Sequence, residues 1–196
     1  LFRNMNAQPL LTNDRGSVAV EFGLISLVLI FFVVFLVDLV LQQALVGKLD
    51  RVTYSMAGTL RERTQLYKSD EYLNQGQVEQ IAALSRKVLK DMHSGADLSQ
   101  LSMTVEELHF KEPKLVGGGN AKEVTRYQSY QVGGQVCQPY TTLNNMQELS
   151  PRGSYGRWVP MYQVTLCLPS NSWFSKLTGD GDGKSQQKSF AVVVVR

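Results

Sequence analysis

Residues 22–37 read FGLISLVLIFFVVFLV: sixteen positions without a charge and nothing more polar than Ser26. Asp38, followed by Leu39, Val40 and Leu41, brings the stretch to twenty. At about 1.5 Å per residue, twenty helical residues span about 30 Å, the hydrocarbon thickness of a bilayer. A helix buried in the core of a domain this size shows a polar face, and this run shows none over four turns. The stretch therefore predicts a transmembrane helix, extending to about residue 46. A secretory signal peptide would need a small-residue cleavage site after the apolar run, but Asp38, Gln42 and Gln43 follow it with no Ala-x-Ala. The helix is expected to be retained, in contact with membrane lipid.

Working outward, the charges on the N-terminal side are Arg3, Asp14 and Arg15. A short arm with a basic excess stays cytoplasmic, so the remainder of the chain is expected on the far side of the membrane. Asp38 is costly at mid-bilayer unless it reaches the headgroups or a partner. Both readings of it stand.

The chain has 196 residues, 43% hydrophobic and 19% charged, with 20 Lys plus Arg against 17 Asp plus Glu. That composition excludes a disordered or collagen-like chain and supplies apolar material for a core. A net charge of +3, spread along the chain, gives no basis for a nucleic-acid partner. Two histidines and two cysteines, none adjacent to another, fall short of a usual zinc site. No P-loop, GxSxG or HExxH occurs, so neither enzyme chemistry nor a cofactor is expected.

Glu21 stands where the hydrophobic run opens. A carboxylate in the first turn of a membrane helix can simply sit among headgroups, where helix N-termini favour negative charge. Its neighbours add to this: Arg15-Gly16-Ser17-Val18-Ala19-Val20-Glu21-Phe22 places a basic residue, a glycine, four residues, a glutamate and an aromatic directly before the apolar helix. This arrangement resembles the type IV pilin processing site in its Tad (tight adherence) form. The chain length, the Glu21-Phe22 pair and the spacing of Cys137 and Cys167 look like the TadE/TadF pseudopilins, and more like TadF. The specific resemblance covers residues 15 to 46, with a softer match from Tyr155 to Phe174.

The resemblance implies that a membrane aspartyl prepilin peptidase cuts between Gly16 and Ser17, removing residues 1–16 as a cytoplasmic leader. Glycine there lets the backbone extend and approach the protease closely. Ser17 becomes the first residue of the mature chain and Glu21 its fifth, expected to pair with the new amino group of a neighbouring subunit and set assembly register, since a buried carboxylate needs a cationic partner. The implied setting is the bacterial inner membrane, with the C-terminal part periplasmic or in the pilus. The implied partners are prepilin peptidase, a TadE-type pseudopilin, pilus subunits and the inner-membrane platform. The implied function is support of Tad pilus biogenesis and adherence. The numbered chain opens on Leu1, and Met5 is an alternative start.

Past the lipid, Leu49, Val52, Met56 and Leu60 recur at three- and four-residue intervals without a proline, so the helix is expected to run on as one rod to about residue 68. Asp70 to Asn74 and Gly76 read as a break. Gln77 to Met92 carries Val78, Ile81, Ala82, Val88 and Leu89 on one side, an amphipathic helix closed by Gly95. The period then changes to two: Leu101 to Val105, Val124 to Val132, Trp158 to Leu168 and Phe190 to Val195 read as strands, with Gly117–Gly119 and Gly133–Gly134 as loops between them. Two helices and about four strands predict an α+β fold over residues 69–196: a long pilin-like N-terminal helix packed on a mainly antiparallel sheet.

Cys137 and Cys167, both outside the membrane, are expected to form one disulfide, the alternative being two free buried thiols. Neither has a histidine beside it, although His93 and His109 could approach in space. Gly179-Asp180-Gly181-Asp182-Gly183-Lys184 resembles the start of a calcium loop, but lacks the later oxygen ligands. A solvated turn explains Asp180 and Asp182 as well. The rival to an assembly role is an unprocessed single-pass protein whose external domain binds or senses a ligand. The two readings differ at the N-terminus.

Overall fold

The computed structural model describes residues 15–62, 72–92, 98–112, 122–153, 156–169 and 186–195. Helix α1 covers Arg15–Arg61 and α2 covers Gln75–Met92. Four nine-residue strands follow: β1 (Ser102–Phe110), β2 (Val124–Val132), β3 (Met161–Pro169) and β4 (Gln186–Val194). A 3-10 helix, Leu143–Leu149, lies between β2 and β3. The chain divides into two compact units, one up to Leu41 and one from Gln42 onward.

In the first unit, the described residues are α1 alone, apolar on every side. The second unit is the α+β domain. Its sheet has the order β2-β1-β3-β4 with every neighbouring pair antiparallel. From Gln42 on, α1 becomes striped, burying Leu49, Val52, Met56, Ala57 and Leu60. α2 buries Val78, Ile81, Ala82 and Leu89. Both stripes meet one face of the sheet, where Met103 and Val105 of β1 and Tyr162, Val164, Leu166 and Leu168 of β3 complete a single core. The buried hydroxyls within the stripes are satisfied locally: Thr53 Oγ1 donates to Leu49 O at 2.8 Å, and Ser85 Oγ to Ile81 O at 2.8 Å.

The second face carries its own cluster: Leu108, Phe110 and Met161 from the sheet, with Leu143 of the 3-10 helix inserted among them. Because β1 is covered on both sides, all nine of its residues are buried, the polar ones included. The bond between Cys137 and Cys167, with Cα atoms 5.6 Å apart, ties the segment after β2 to β3 on this face. Beside it Thr104 Oγ1 donates to Cys137 O at 2.5 Å.

Element boundaries shift for identifiable reasons. α1 is described to Arg61, and the rest of the expected rod, residues 63–68, lies outside the described residues. α2 begins at Gln75, before Gln77, because Asn74 caps it: Asn74 Oδ1 accepts from Gln77 N at 2.9 Å and Gln77 Oε1 from Asn74 N at 3.4 Å, a reciprocal box. Trp158 is outside β3, in an isolated bridge with Arg152; Pro160, lacking an N–H, precedes the strand. β4 starts four residues ahead of Phe190, through the polar stretch Gln186–Ser189. Gly95, His93, Gly117–Gly119 and the Gly179–Lys184 run with Asp180 and Asp182 lie outside the described residues.

Candidate functional site

Two places carry chemistry that the core does not require. The first is the N-terminal stretch of α1. Gly16 and Ser17 fall in its first turn, and Glu21 and Phe22 follow one turn later. Ser17 and Glu21 stand four positions apart along the helix, about one turn. Glu21 is exposed, and Phe22 is 71% exposed. Over the next five turns the exposed side chains are almost all apolar, among them Leu24, Ile25, Leu29, Ile30, Phe32 and Val37. The most apolar eighteen-residue window has a mean hydropathy of 3.2 and no buried residue.

That combination separates a membrane helix from a soluble core helix, which passes the same hydropathy test but is mostly buried. At about 25 cal/mol per Å² of apolar surface, leaving such a segment in water is strongly unfavourable, and lipid or other apolar helices relieve it. Small residues sit within it. A Cβ placed on Gly23 meets no other described residue within 4 Å, and Ser26 is half-buried, so the surface is low enough there for another backbone to come close.

The second place is polar and was missed by sequence reasoning. Glu106 and Glu107, adjacent on β1, point to opposite faces of the sheet, and both are buried. On the helix-covered face, Glu107 Oε2 accepts from the backbone N–H of Leu73 at 2.8 Å and Oε1 from Arg126 Nε at 2.7 Å. Tyr130 Oη donates to Leu73 O at 2.6 Å, so Glu107 and Tyr130 together hold both backbone groups of Leu73 ahead of α2. His109 Nε2 stands 3.4 Å from Glu107 Oε2, and its ring lies 4.9 Å from that of Tyr72.

Burial alone pushes the Glu107 carboxyl upward. The hydrogen bonds from His109, the Leu73 N–H and Arg126 together outweigh it and hold the group below the usual carboxylate range. On the opposite face, Glu106 accepts from the Tyr127 hydroxyl and, through Oε2, from the Leu143 N–H at 3.2 Å. Burial first, then the bond to Glu106, raises the Tyr127 phenol.

These carboxylates are joints. Glu107 fixes the entry to α2 and Glu106 fixes the 3-10 helix, each by accepting a backbone N–H that would otherwise be left without a partner. The signal in the sequence was the pair Glu106-Glu107 inside an otherwise strand-like run, where two adjacent charges cannot both face solvent.

The predicted site residues thus fall in two groups. Gly16, Ser17, Glu21 and Phe22 share the first turns of α1. Cys137 and Cys167 form the expected disulfide in the second unit.

The family model of TadF, described as "Putative tight adherence pilin protein F", matches residues 9–196. No curated protein and no solved structure matches the chain. The match runs across the apolar helix and the disulfide-tied sheet alike, in a family whose members are structural pilus components, and one long apolar N-terminal helix of this kind suits a membrane-anchored pilin. The chain belongs to the TadF family of tight adherence pilin proteins.

Proposed function

We propose that this chain is a minor pseudopilin, cut between Gly16 and Ser17 by a prepilin peptidase, that assembles with a TadE-type pseudopilin and other pilus subunits to support Tad pilus biogenesis and adherence. It starts in the bacterial inner membrane with its N-terminus cytoplasmic and its sheet domain outside, next to the inner-membrane platform.

The observation that carries this reading is the contrast between the two units. The second folds around its own core, while the first presents an apolar helix surface with no buried residue in its central window. Such a helix is stable in lipid before assembly and among other helices after it. Glu21 adds direction. Its carboxylate, one turn along from Ser17, suits a charge partner on a neighbour, and the amino group exposed by cleavage supplies one. Pairing across parallel helices then staggers the subunits by on the order of one helical turn, about 5 Å. Cleavage also requires the first turn of α1 to open, because a peptidase needs an extended scissile bond; Gly16 makes that opening cheaper.

The test is the N-terminal mass of protein isolated from membranes, with Gly16→Ala and Glu21→Ala made alongside. A mature chain beginning at Ser17, with the leader retained and pili lost in Gly16→Ala, supports the proposal. An intact leader in the unaltered protein, with pili insensitive to both changes, overturns it in favour of a single-pass membrane protein with a ligand-binding domain.

A further inference from the structure

The two outer strands of the sheet are treated differently. β2 is polar along its length, with Arg126, Gln128, Ser129 and Gln131, and its register with β1 is broken by a bulge between His109 and Phe110. Gln75 Nε2 donates to Gln131 O at 3.2 Å, covering one of its backbone acceptors. Charges, bulges and covering groups are the usual devices that keep a sheet edge from pairing further. β4 has fewer of them. It contains one charge, Lys188, and ends in Phe190-Ala191-Val192-Val193-Val194, and no described strand pairs with its outer side.

A groove of about 440 Å³ runs along that side. Lys188, Phe190 and Val192 from one face of β4 line it, and so do Ser189 and Ala191 from the other, so its floor is the outer edge of the strand. One wall is Tyr140, Met146 and Leu149; the other is Asp50 and Tyr54 of α1. Tyr140 is 69% exposed and Tyr54 66%. The Tyr140 ring packs edge-on to Phe190 at 6.2 Å, with Lys188 Nζ 5.6 Å above its centre. Asp50 and Lys188 ion-pair with no described residue, and they bring opposite charges to the lining, Asp50 from the α1 wall and Lys188 from β4.

We propose that this groove accepts an extended strand from another protein, which pairs with β4 as a fifth strand and carries a basic side chain to meet Asp50 and an acidic one to meet Lys188. The edge dictates the extended form, since only a strand satisfies its backbone groups in register. The span from Lys188 to Val192 admits about five residues, or about 17 Å of strand. The aromatic walls suit β-branched side chains between the two charges.

The probes are two heptapeptides of alternating valine and threonine, one with lysine at the N-terminal end and glutamate at the C-terminal end, the other reversed. They are added to the full chain in detergent micelles, and backbone amide exchange is followed by NMR. Support is a slowing of about tenfold at amides within 186–194, with β2 unchanged. One peptide is preferred by about three- to fivefold, the size of an exposed ion pair, and Asp50→Lys with Lys188→Glu inverts the preference. Lys188→Glu alone, which touches no core residue, weakens the preferred peptide if the double variant folds poorly. No slowing with either peptide overturns the proposal, as does an equal response to both. Concentration-dependent protection of β4 without peptide also overturns it, because the occupant is then a second copy of this chain.

Discussion

Arg126 Nε reaches diagonally across the β1–β2 pair to donate a 2.7 Å hydrogen bond to Glu107 Oε1, while Glu107 itself faces Gln128 in the ladder. The carboxylate is fully buried and the guanidinium is 40% exposed, so one end of the pair is held by the core and the other by water. The geometry makes the domain acid-sensitive. The folded state holds Glu107 below its ordinary value, so the unfolded chain takes up the proton first as pH falls. The stability linked to this group is complete above the unfolded-state value, about 4.3–4.5, and is lost as pH drops through the lower folded-state value. We expect the thermal midpoint in mild detergent to fall below about pH 4.5 in the unaltered protein and to fall less steeply in Glu107→Gln. At neutral pH that variant should cost about 1.5–3 kcal/mol.

Arg126→Ala separates the ion pair from the backbone bonds. It leaves a fully buried carboxylate with the Leu73 N–H but without its cation, and removing one partner of such a pair costs about 3 kcal/mol. The acid limb should move to higher pH, because one of the hydrogen bonds that lower the Glu107 value, after those from His109 and Leu73, is gone. A pH-stability profile superimposable on that of the unaltered chain would sink this account.

The disulfide between Cys137 and Cys167 holds down the segment that covers the second face of the sheet, including the 3-10 helix whose Leu143 is buried there. Replacing both cysteines by alanine should lower stability by about 3–4 kcal/mol, the loop-entropy value for a separation near 30 residues. Limited proteolysis should then cut within residues 138–158 before it cuts β1 or β3. Equal rates in both forms would mean that Leu143 and the Glu106 bond hold the segment unaided.

Much of this fold was legible because hydrophobic period reports burial directly. The change from all-round apolar residues at 22–37 to a stripe from Leu49 marked where α1 turns from lipid to core, and Val124 to Val132 matched β2 at both ends. The 3-10 helix Leu143–Leu149 escaped because its sequence, LNNMQEL, offers one buried anchor and no period. The buried glutamates escaped for a different reason. Their burial depends on cover over both faces of β1, a tertiary fact that local pattern does not encode. The groove beside β4 likewise exists only once α1, the 140–149 segment and the last strand are brought together. The proposed processing residues rest on a motif, since an exposed helical turn from Val18 to Phe22 looks ordinary as geometry.

Gly133 has φ of +123°, and a Cβ there would lie 2.7 Å from both Cα and Cβ of Ser102. The left-handed backbone and the close approach act together, so Gly133→Ala should cost about 2–3 kcal/mol or more. Gly134, with nothing within 4 Å of its added Cβ, is the control, and Gly134→Ala should change stability by less than about 0.5 kcal/mol. Urea unfolding of the two variants gives the comparison. Similar losses would mean that the turn, and not the contact with Ser102, is what requires glycine.

Gly23 separates a role in the helix from a role between helices. Apart from the helix's own nearby backbone, no described residue lies within 4 Å of a Cβ placed there, so Gly23→Leu meets no clash at Cβ in the subunit and improves intrinsic helix propensity by up to about 1 kcal/mol. If the apolar surface around it packs against another helix at close range, the same side chain pushes the two backbones apart. We therefore expect Gly23→Leu to leave membrane insertion, the disulfide and the thermal midpoint of the sheet domain unchanged, while reducing cross-linking between cysteines placed at Val20 or Leu27 and partner subunits. Gly23→Ala should fall between the two. Full cross-linking in Gly23→Leu would place the helix contacts on another face, and a scan of single leucines along residues 22–37 would then locate it.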